Sequence, residues 1–170
     1  MNGYKLEHYR NFFNRKKIKT SLYGIDLSSL AIADGKKKFP YLKLKKLSSL
    51  EINKIKKKFD LIICDFLYLL DREYLFEQFD QIYKNLNENG LLLISDFDPL
   101  FPHYNKNKHH KKLLSFKVSY NDFITSSYLF KLIYKCNWKM KNDKNNFLDK
   151  NYSISIFEKL KFENNFPKNI

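Results

Sequence analysis

The first third of the chain is patterned as a helix, a strand and a second helix. Apolar side chains recur at helical spacing over 4–13, which predicts a first helix. A short apolar run over 21–26 predicts a strand, after which Ser28 or Ser29 can cap a helix that runs to about Lys38 and ends near Pro40. A strand that leads through a short turn into a helix is the repeating unit of α/β proteins.

The middle third continues this alternation. Leucines alternate with lysines over 41–47, as in a half-exposed edge strand, whereas 59–64 is almost entirely apolar, as in a central strand of a parallel sheet. From Asp71 the apolar residues return to helical spacing until shortly before Gly90, and 91–97 again has the pattern of a buried strand. The predicted fold class is α/β, with a Rossmann-like, doubly wound and mostly parallel sheet.

The last third is expected to close the sheet with an antiparallel pair of strands. Strand-like runs span 128–138 and 152–160, on either side of a connection rich in asparagine, lysine and aspartate. The 170 residues, 44% of them hydrophobic, are enough for one core. We therefore expect a single domain over 1–160 and a frayed tail over 161–170.

Lysine supplies most of the positive charge, which gives the chain a net charge of +14. Only three of the 32 basic residues are arginine, the residue that bidentate phosphate contacts and base recognition favour. Lysine, asparagine, isoleucine, phenylalanine and tyrosine are abundant together, as an A+T-rich genome would impose on a tolerant surface. We favour this compositional interpretation over a selected polyanion-binding surface, because such a surface requires patterned charge.

The cysteines and histidines give no metal pattern. Cys64 and Cys136 form neither a CxxC unit nor a disulfide framework, and His109-His110 have no carboxylate or cysteine at ligand spacing. The longest apolar run, 61–70, is interrupted by a charge and is shorter than the ~20 residues of a membrane span. With no signal sequence at the start, these features indicate a cytoplasmic protein without a metal site.

Asp26 is the strongest candidate for binding chemistry. It ends a predicted strand immediately before a helix, and ligands of open α/β sheets bind beyond the carboxyl ends of the strands. A carboxylate at this position can accept hydrogen bonds from both ribose hydroxyls of a nucleoside. The same position also suits a helix cap, and spacing alone leaves both interpretations open.

Four segments in a fixed order carry a resemblance to a known family. They are Asn2-Gly3, Tyr23-Gly24-Ile25-Asp26-Leu27-Ser28-Ser29, Phe59-Asp60-Leu61-Ile62-Ile63-Cys64, and Asn87-Glu88-Asn89-Gly90 followed by Leu91-Leu92-Leu93-Ile94-Ser95-Asp96. Their order and spacing resemble the class I S-adenosylmethionine-dependent methyltransferases, and the similarity extends over almost the whole chain.

The resemblance implies S-adenosylmethionine as the cofactor, with Asp26 holding its ribose. Ser48 lies where the family often has an acidic residue for the adenine amino group, and Asp65 and Phe66 follow the fourth-strand motif. A base is needed only if the methyl acceptor is a weakly acidic hydroxyl or amine. The expected cofactor-binding residues are Gly3, Asp26, Leu27, Ser48, Asp65 and Phe66, and the expected catalytic residues are Asp96 and His103.

One part of the family pattern is missing. In that family a strand and a Glu-x-Gly-x-x-x-Gly loop precede the first helix, and here only Gly3 matches the end of that loop. We therefore expect a methyltransferase fold that is truncated at the N-terminus and lacks its first strand, a gap that a partner chain could fill.

The expected function is S-adenosylmethionine-dependent methylation of a small molecule, such as a sugar or another metabolite. Two alternatives stay open. A degenerate fold without a cofactor site would serve as a non-catalytic interaction module, and a basic face would suit RNA or another polyanion as the methyl acceptor. The sequence leaves the acceptor and the oligomeric state undetermined.

Overall fold

The computed structural model describes residues 3–65, 67, 70, 72–97, 129–140 and 150–161. The predicted site residues Phe66 and His103 and the tail beyond Lys161 lie outside these ranges. The helices are α1 (Tyr4–Arg15), α2 (Ser29–Lys38) and α3 (Leu75–Asn85), and the strands are β1 (Tyr23–Asp26), β2 (Lys43–Lys46), β3 (Phe59–Cys64), β4 (Leu86–Phe97), β5 (Phe130–Met140) and β6 (Lys150–Lys159). Short 3-10 segments span Ser49–Ile55 and Arg72–Tyr74.

The chain divides into two compact units, the first of which is Met1–Ile55. In this unit β1 and β2 pair in parallel, with Gly24 opposite Leu44. Gly24 permits close packing, because a Cβ there would lie 2.8 Å from Leu44 Cδ2 and 3.3 Å from Leu6 Cδ2. The core of the unit consists of buried Ile32, Leu42 and Leu44, against which Leu6 and Phe39 pack.

Both helices of the first unit begin as their sequences dictate. Gly3 precedes α1 with a φ of 85°, a left-handed conformation that glycine adopts without strain. Ser28 caps α2, since its Oγ accepts a hydrogen bond from the Ala31 N–H at 3.2 Å. The prediction that a serine caps this helix is confirmed.

The second unit, Lys56–Ile170, contains a four-stranded sheet in the order β3-β4-β6-β5. β3 and β4 are parallel, and β6 is antiparallel to both β4 and β5. The apolar face of α3 is buried through Leu75, Phe79 and Ile82. Lys159 of β6 binds the C-terminal end of this helix. Its Nζ donates hydrogen bonds to the carbonyl oxygens of Tyr83 and Leu86, both at 2.9 Å.

The structure confirms the predicted α/β class and the closing antiparallel pair of strands. It differs in where the strands pair, because the described strands form two sheets and β3, which was predicted to be central, lies at the end of the second. β4 also begins at Leu86, before the predicted start at 91, because Phe59 of β3 pairs with Leu86 ahead of a register shift. The single domain over 1–160 stays a prediction.

Candidate functional site

Asp26 lies at the carboxyl end of β1, immediately before α2. Its Oδ1 accepts a hydrogen bond from the Ser28 N–H at 2.8 Å, and its carbonyl oxygen accepts one from the Leu47 N–H at 3.1 Å. The side chain is half-buried. The Ser28 N–H contact fixes the orientation of the carboxylate, and carboxylate oxygens are the kind of acceptor that ribose hydroxyls require. The N-cap of α2 is Ser28, so Asp26 lies in the turn before the cap and is not itself the helix cap. Its interpretation as a ribose ligand stays a prediction.

Three other predicted cofactor residues lie in the same unit as Asp26. Leu27 follows it directly and is 68% exposed. Ser48 lies two residues beyond β2, and its Oγ accepts a hydrogen bond from the Leu50 N–H at 3.3 Å, which gives it a structural role at the start of a 3-10 segment. Gly3 is buried before α1, where a Cβ would lie 3.1 Å from Phe39 Cδ2.

Asp65 and Asp96 occupy the corresponding end of the second sheet. Asp65 follows β3 directly, and Asp96 is the penultimate residue of β4. Because Cys64 is in register with Ile94, the two aspartates lie at the carboxyl ends of neighbouring parallel strands. The carboxyl ends of parallel strands are where ligands bind in open α/β sheets.

Leu30 is a residue that sequence reasoning missed. It lies in the first turn of α2 and is 83% exposed, although the neighbouring Ile32 is buried. With Leu27, it presents apolar surface close in sequence to the Asp26 carboxylate. The helical spacing could have identified Leu30 as exposed, because it puts this residue away from the face that carries Ile32 and Gly35.

The described residues contain no group of three or more His, Cys, Asp or Glu that could hold a metal ion. In the same part of the chain, no helix is both long and apolar enough to cross a membrane.

No protein-family model and no curated protein matches this sequence. Solved structures do match. The N-methyltransferase NodS from Bradyrhizobium japonicum WM9 has a TM-score of 0.62 at 16% identity, with 82% of this chain and 74% of that chain covered. A SAM-dependent methyltransferase from Archaeoglobus fulgidus has a TM-score of 0.61 at 16% identity, with 89% of this chain and 80% of that chain covered. The chain has the class I methyltransferase fold.

A second NodS structure, in complex with S-adenosyl-L-homocysteine, matches with a TM-score of 0.63 at 14% identity, with 82% of this chain and 67% of that chain covered. Identities at this level establish the fold alone. Within the methyltransferase fold, the residues of this chain fit a nucleoside cofactor at two points. The Asp26 carboxylate is oriented by the Ser28 N–H, and the apolar side chain of Leu27, the next residue, is exposed.

Proposed function

We propose that the chain binds S-adenosylmethionine and transfers its methyl group to a small molecule such as a sugar or another metabolite. The observation that carries the proposal is the position of Asp26. Its carboxylate lies at the carboxyl end of a parallel strand, held by a backbone N–H, in a chain with the class I methyltransferase fold.

The first unit would hold the nucleoside part of the cofactor. Asp26 would accept the ribose hydroxyls, Leu27 would contact the adenine ring, and Ser48 would bond its polar edge. The positive end of the α1 dipole, preceded by Gly3, would favour the carboxylate of the methionine moiety.

Asp65 and Phe66 stay proposed cofactor-binding residues, and Asp96 and His103 stay the proposed catalytic residues on the acceptor side. The bound cofactor supplies an activated methyl group for an in-line displacement by an acceptor oxygen or nitrogen. Such a transfer depends mainly on the positions of the two reactants, and Asp96 or His103 would take the acceptor's proton where one is lost.

A titration of the purified chain with S-adenosylmethionine and S-adenosylhomocysteine tests the proposal. Calorimetry should show binding, and a parallel melting curve should rise, since a ligand at 100 times its Kd adds about 2.7 kcal/mol of stability. A folded sample that binds neither compound would contradict the proposal and would favour the non-catalytic interaction module. Product formation from a labelled methyl donor and a metabolite panel then tests the acceptor class.

Asp26→Asn isolates the ribose contact. Asparagine keeps an oxygen for the Ser28 N–H, so the turn is retained, whereas the charged acceptor is lost. A hydrogen bond to a charged group contributes about 1.5 to 3 kcal/mol, so cofactor affinity should fall by roughly ten- to 150-fold with an unchanged Tm. Asp34→Asn, which removes only the exposed ion pair with Lys38 on α2, is the matched control. Equal cofactor affinity in the two variants would contradict the role of Asp26.

A further inference from the structure

Three tyrosines of the first unit each carry a cation over the ring. Such cation–π pairs occur roughly once per 70–80 residues in proteins, so three within one 55-residue unit is several times the usual frequency. The distances from cation to ring centroid are 5.1 Å for Lys38 over Tyr4, 4.7 Å for Arg10 over Tyr41 and 4.8 Å for Lys43 over Tyr23.

Two of these pairs are joined by one aromatic ring, and the third lies close to them in the chain through Lys43. Phe39 joins two of them, because its ring centroid lies 5.1 Å from that of Tyr4 and 6.3 Å from that of Tyr41. Tyr41 and Lys43 are both exposed, on either side of the buried Leu42 in the chain. Lys43 then reaches the Tyr23 hydroxyl at 3.3 Å. We call this surface the cation–aromatic strip; it consists of Tyr4, Arg10, Tyr23, Lys38, Phe39, Tyr41 and Lys43.

The strip lies in the more basic part of the chain. The first unit contains 13 lysines and arginines against 4 aspartates and glutamates, a net charge of +9. Three of those carboxylates are engaged locally: Glu7 by Arg10, Asp34 by Lys38 and Glu51 by Lys54. Lys43 donates to neutral groups, the Ser21 hydroxyl at 2.9 Å and the Tyr23 hydroxyl. The unit that carries the exposed rings of Tyr4 and Tyr41 therefore has an excess of positive charge, to which Lys43 contributes, whereas Arg10 and Lys38 are each offset by a carboxylate.

We propose that the cation–aromatic strip binds single-stranded nucleic acid. The side chains of Tyr4 and Tyr41 belong to residues that are 54% and 55% exposed, which leaves ring surface for bases to stack on. Lys43 lies over the Tyr23 ring and donates to the Ser21 and Tyr23 hydroxyls, which are neutral groups, so its charge can pair with a phosphate. Abundant lysine alone does not indicate such a site, whereas lysines set against exposed rings provide the required pattern.

This inference is independent of the proposed methyl transfer. The strip is described entirely within the first unit, and its binding requires neither the cofactor nor Asp26. An experiment without S-adenosylmethionine therefore tests it, and its failure would leave the methyltransferase proposal unaffected.

The experiment measures binding of the full chain to fluorescein-labelled oligouridine and oligothymidine of 12 nucleotides by fluorescence anisotropy. Both should bind, and the logarithm of the association constant should fall linearly with the logarithm of salt concentration, by about 0.7 per phosphate contacted. An abasic strand of equal length should bind at least several-fold more weakly because it cannot stack. Equal affinity for the abasic strand, or binding only to vesicles that contain phosphatidylserine, would overturn the proposal.

Two substitutions locate the binding surface. Tyr41→Leu should weaken oligouridine binding by roughly five- to 150-fold, the loss expected for one stacked base, and Tyr41→Phe should retain most of the affinity. Lys43→Gln should reduce the salt slope by about 0.7, the contribution of one phosphate. The matched controls are Tyr134→Leu, which alters an exposed tyrosine of β5, and Lys54→Gln, which alters an exposed lysine of the same unit. Tyr41→Leu and Tyr134→Leu with the same affinity would contradict the assignment.

Discussion

Glu7 shows how one ion pair can set the charge of a side chain on α1. Arg10 donates two hydrogen bonds to the Glu7 carboxylate, from Nε to Oε2 and from Nη2 to Oε1, both 2.7 Å long. This bidentate contact, helped by hydrogen bonds from Tyr41 and Asn11, lowers the pKa of Glu7 from 4.5 to about 2. Glu7 therefore stays ionised well into the acid range.

Carbon-13 NMR of the Glu7 carboxyl checks this value. We expect a titration midpoint near pH 2 in the wild-type protein and a shift of the pKa toward 4.5 in Arg10→Met. Because the pKa is lower in the folded state, the pair stabilises the fold above about pH 4.5, and this contribution is lost as pH falls toward 2. Lys38→Met, which removes a cation that is not among the groups that shift the pKa of Glu7, serves as the control. A midpoint that is the same in Arg10→Met and wild type would contradict the explanation.

Helices and strands could be predicted where a single capping residue or a regular spacing of apolar residues determines them. Ser28 followed by a helical stretch, with Pro40 just beyond it, predicted α2 and its cap, and the apolar period of α3 predicted its buried face. The start of β4 could not be predicted. Asn89 adopts a φ of 59°, and the turn-like sequence around it favours a break, yet strand pairing with β3 incorporates Leu86 into β4.

α3 offers a direct test of a helix face through two phenylalanines three residues apart. Phe79 is 1% exposed, whereas Phe76 is 67% exposed. Phe79→Ala should lower the free energy of unfolding of the second unit by about 3 to 5 kcal/mol, because it leaves a cavity. Phe76→Ala should change this free energy by less than about 0.5 kcal/mol. Urea denaturation monitored by circular dichroism measures both. A smaller loss for Phe79→Ala than for Phe76→Ala would mean that the helix faces the other way.

At the scale of the whole molecule, the sheet arrangement was the part that the sequence could not settle. The strand β3 is almost entirely apolar, from Phe59 to Cys64, which is typical of a central position, but apolar character does not identify neighbours. Pairing depends on residues distant in the chain, as between Cys64 and Ile94, and no local pattern encodes that choice. The candidate site was easier to predict at Asp26, since a strand end followed by a serine-capped helix is a local signal.

The division into two compact units predicts the form of the thermal transition. Each unit buries apolar side chains of its own, such as Leu44 in the first and Phe157 in the second. Differential scanning calorimetry should therefore give a calorimetric enthalpy larger than the van't Hoff enthalpy, the sign of unfolding that is not two-state. Leu44→Ala should lower the transition temperature of the first unit, and Phe79→Ala should lower that of the second. A single two-state transition that both substitutions shift equally would contradict this expectation.

The backbone conformation at Gly3 restricts which residues can occupy position 3 in related chains. Its φ of 85° and the Phe39 ring 3.1 Å from a Cβ disfavour other residues on folding grounds alone. Descendants that had lost methyl transfer would therefore still carry glycine there. At position 26 the turn needs only an oxygen acceptor, which asparagine or serine also supplies, so selection for the fold alone would let the carboxylate drift. Variation at position 26, set against constancy at position 3, would distinguish lineages that kept a cofactor from those that kept only the fold.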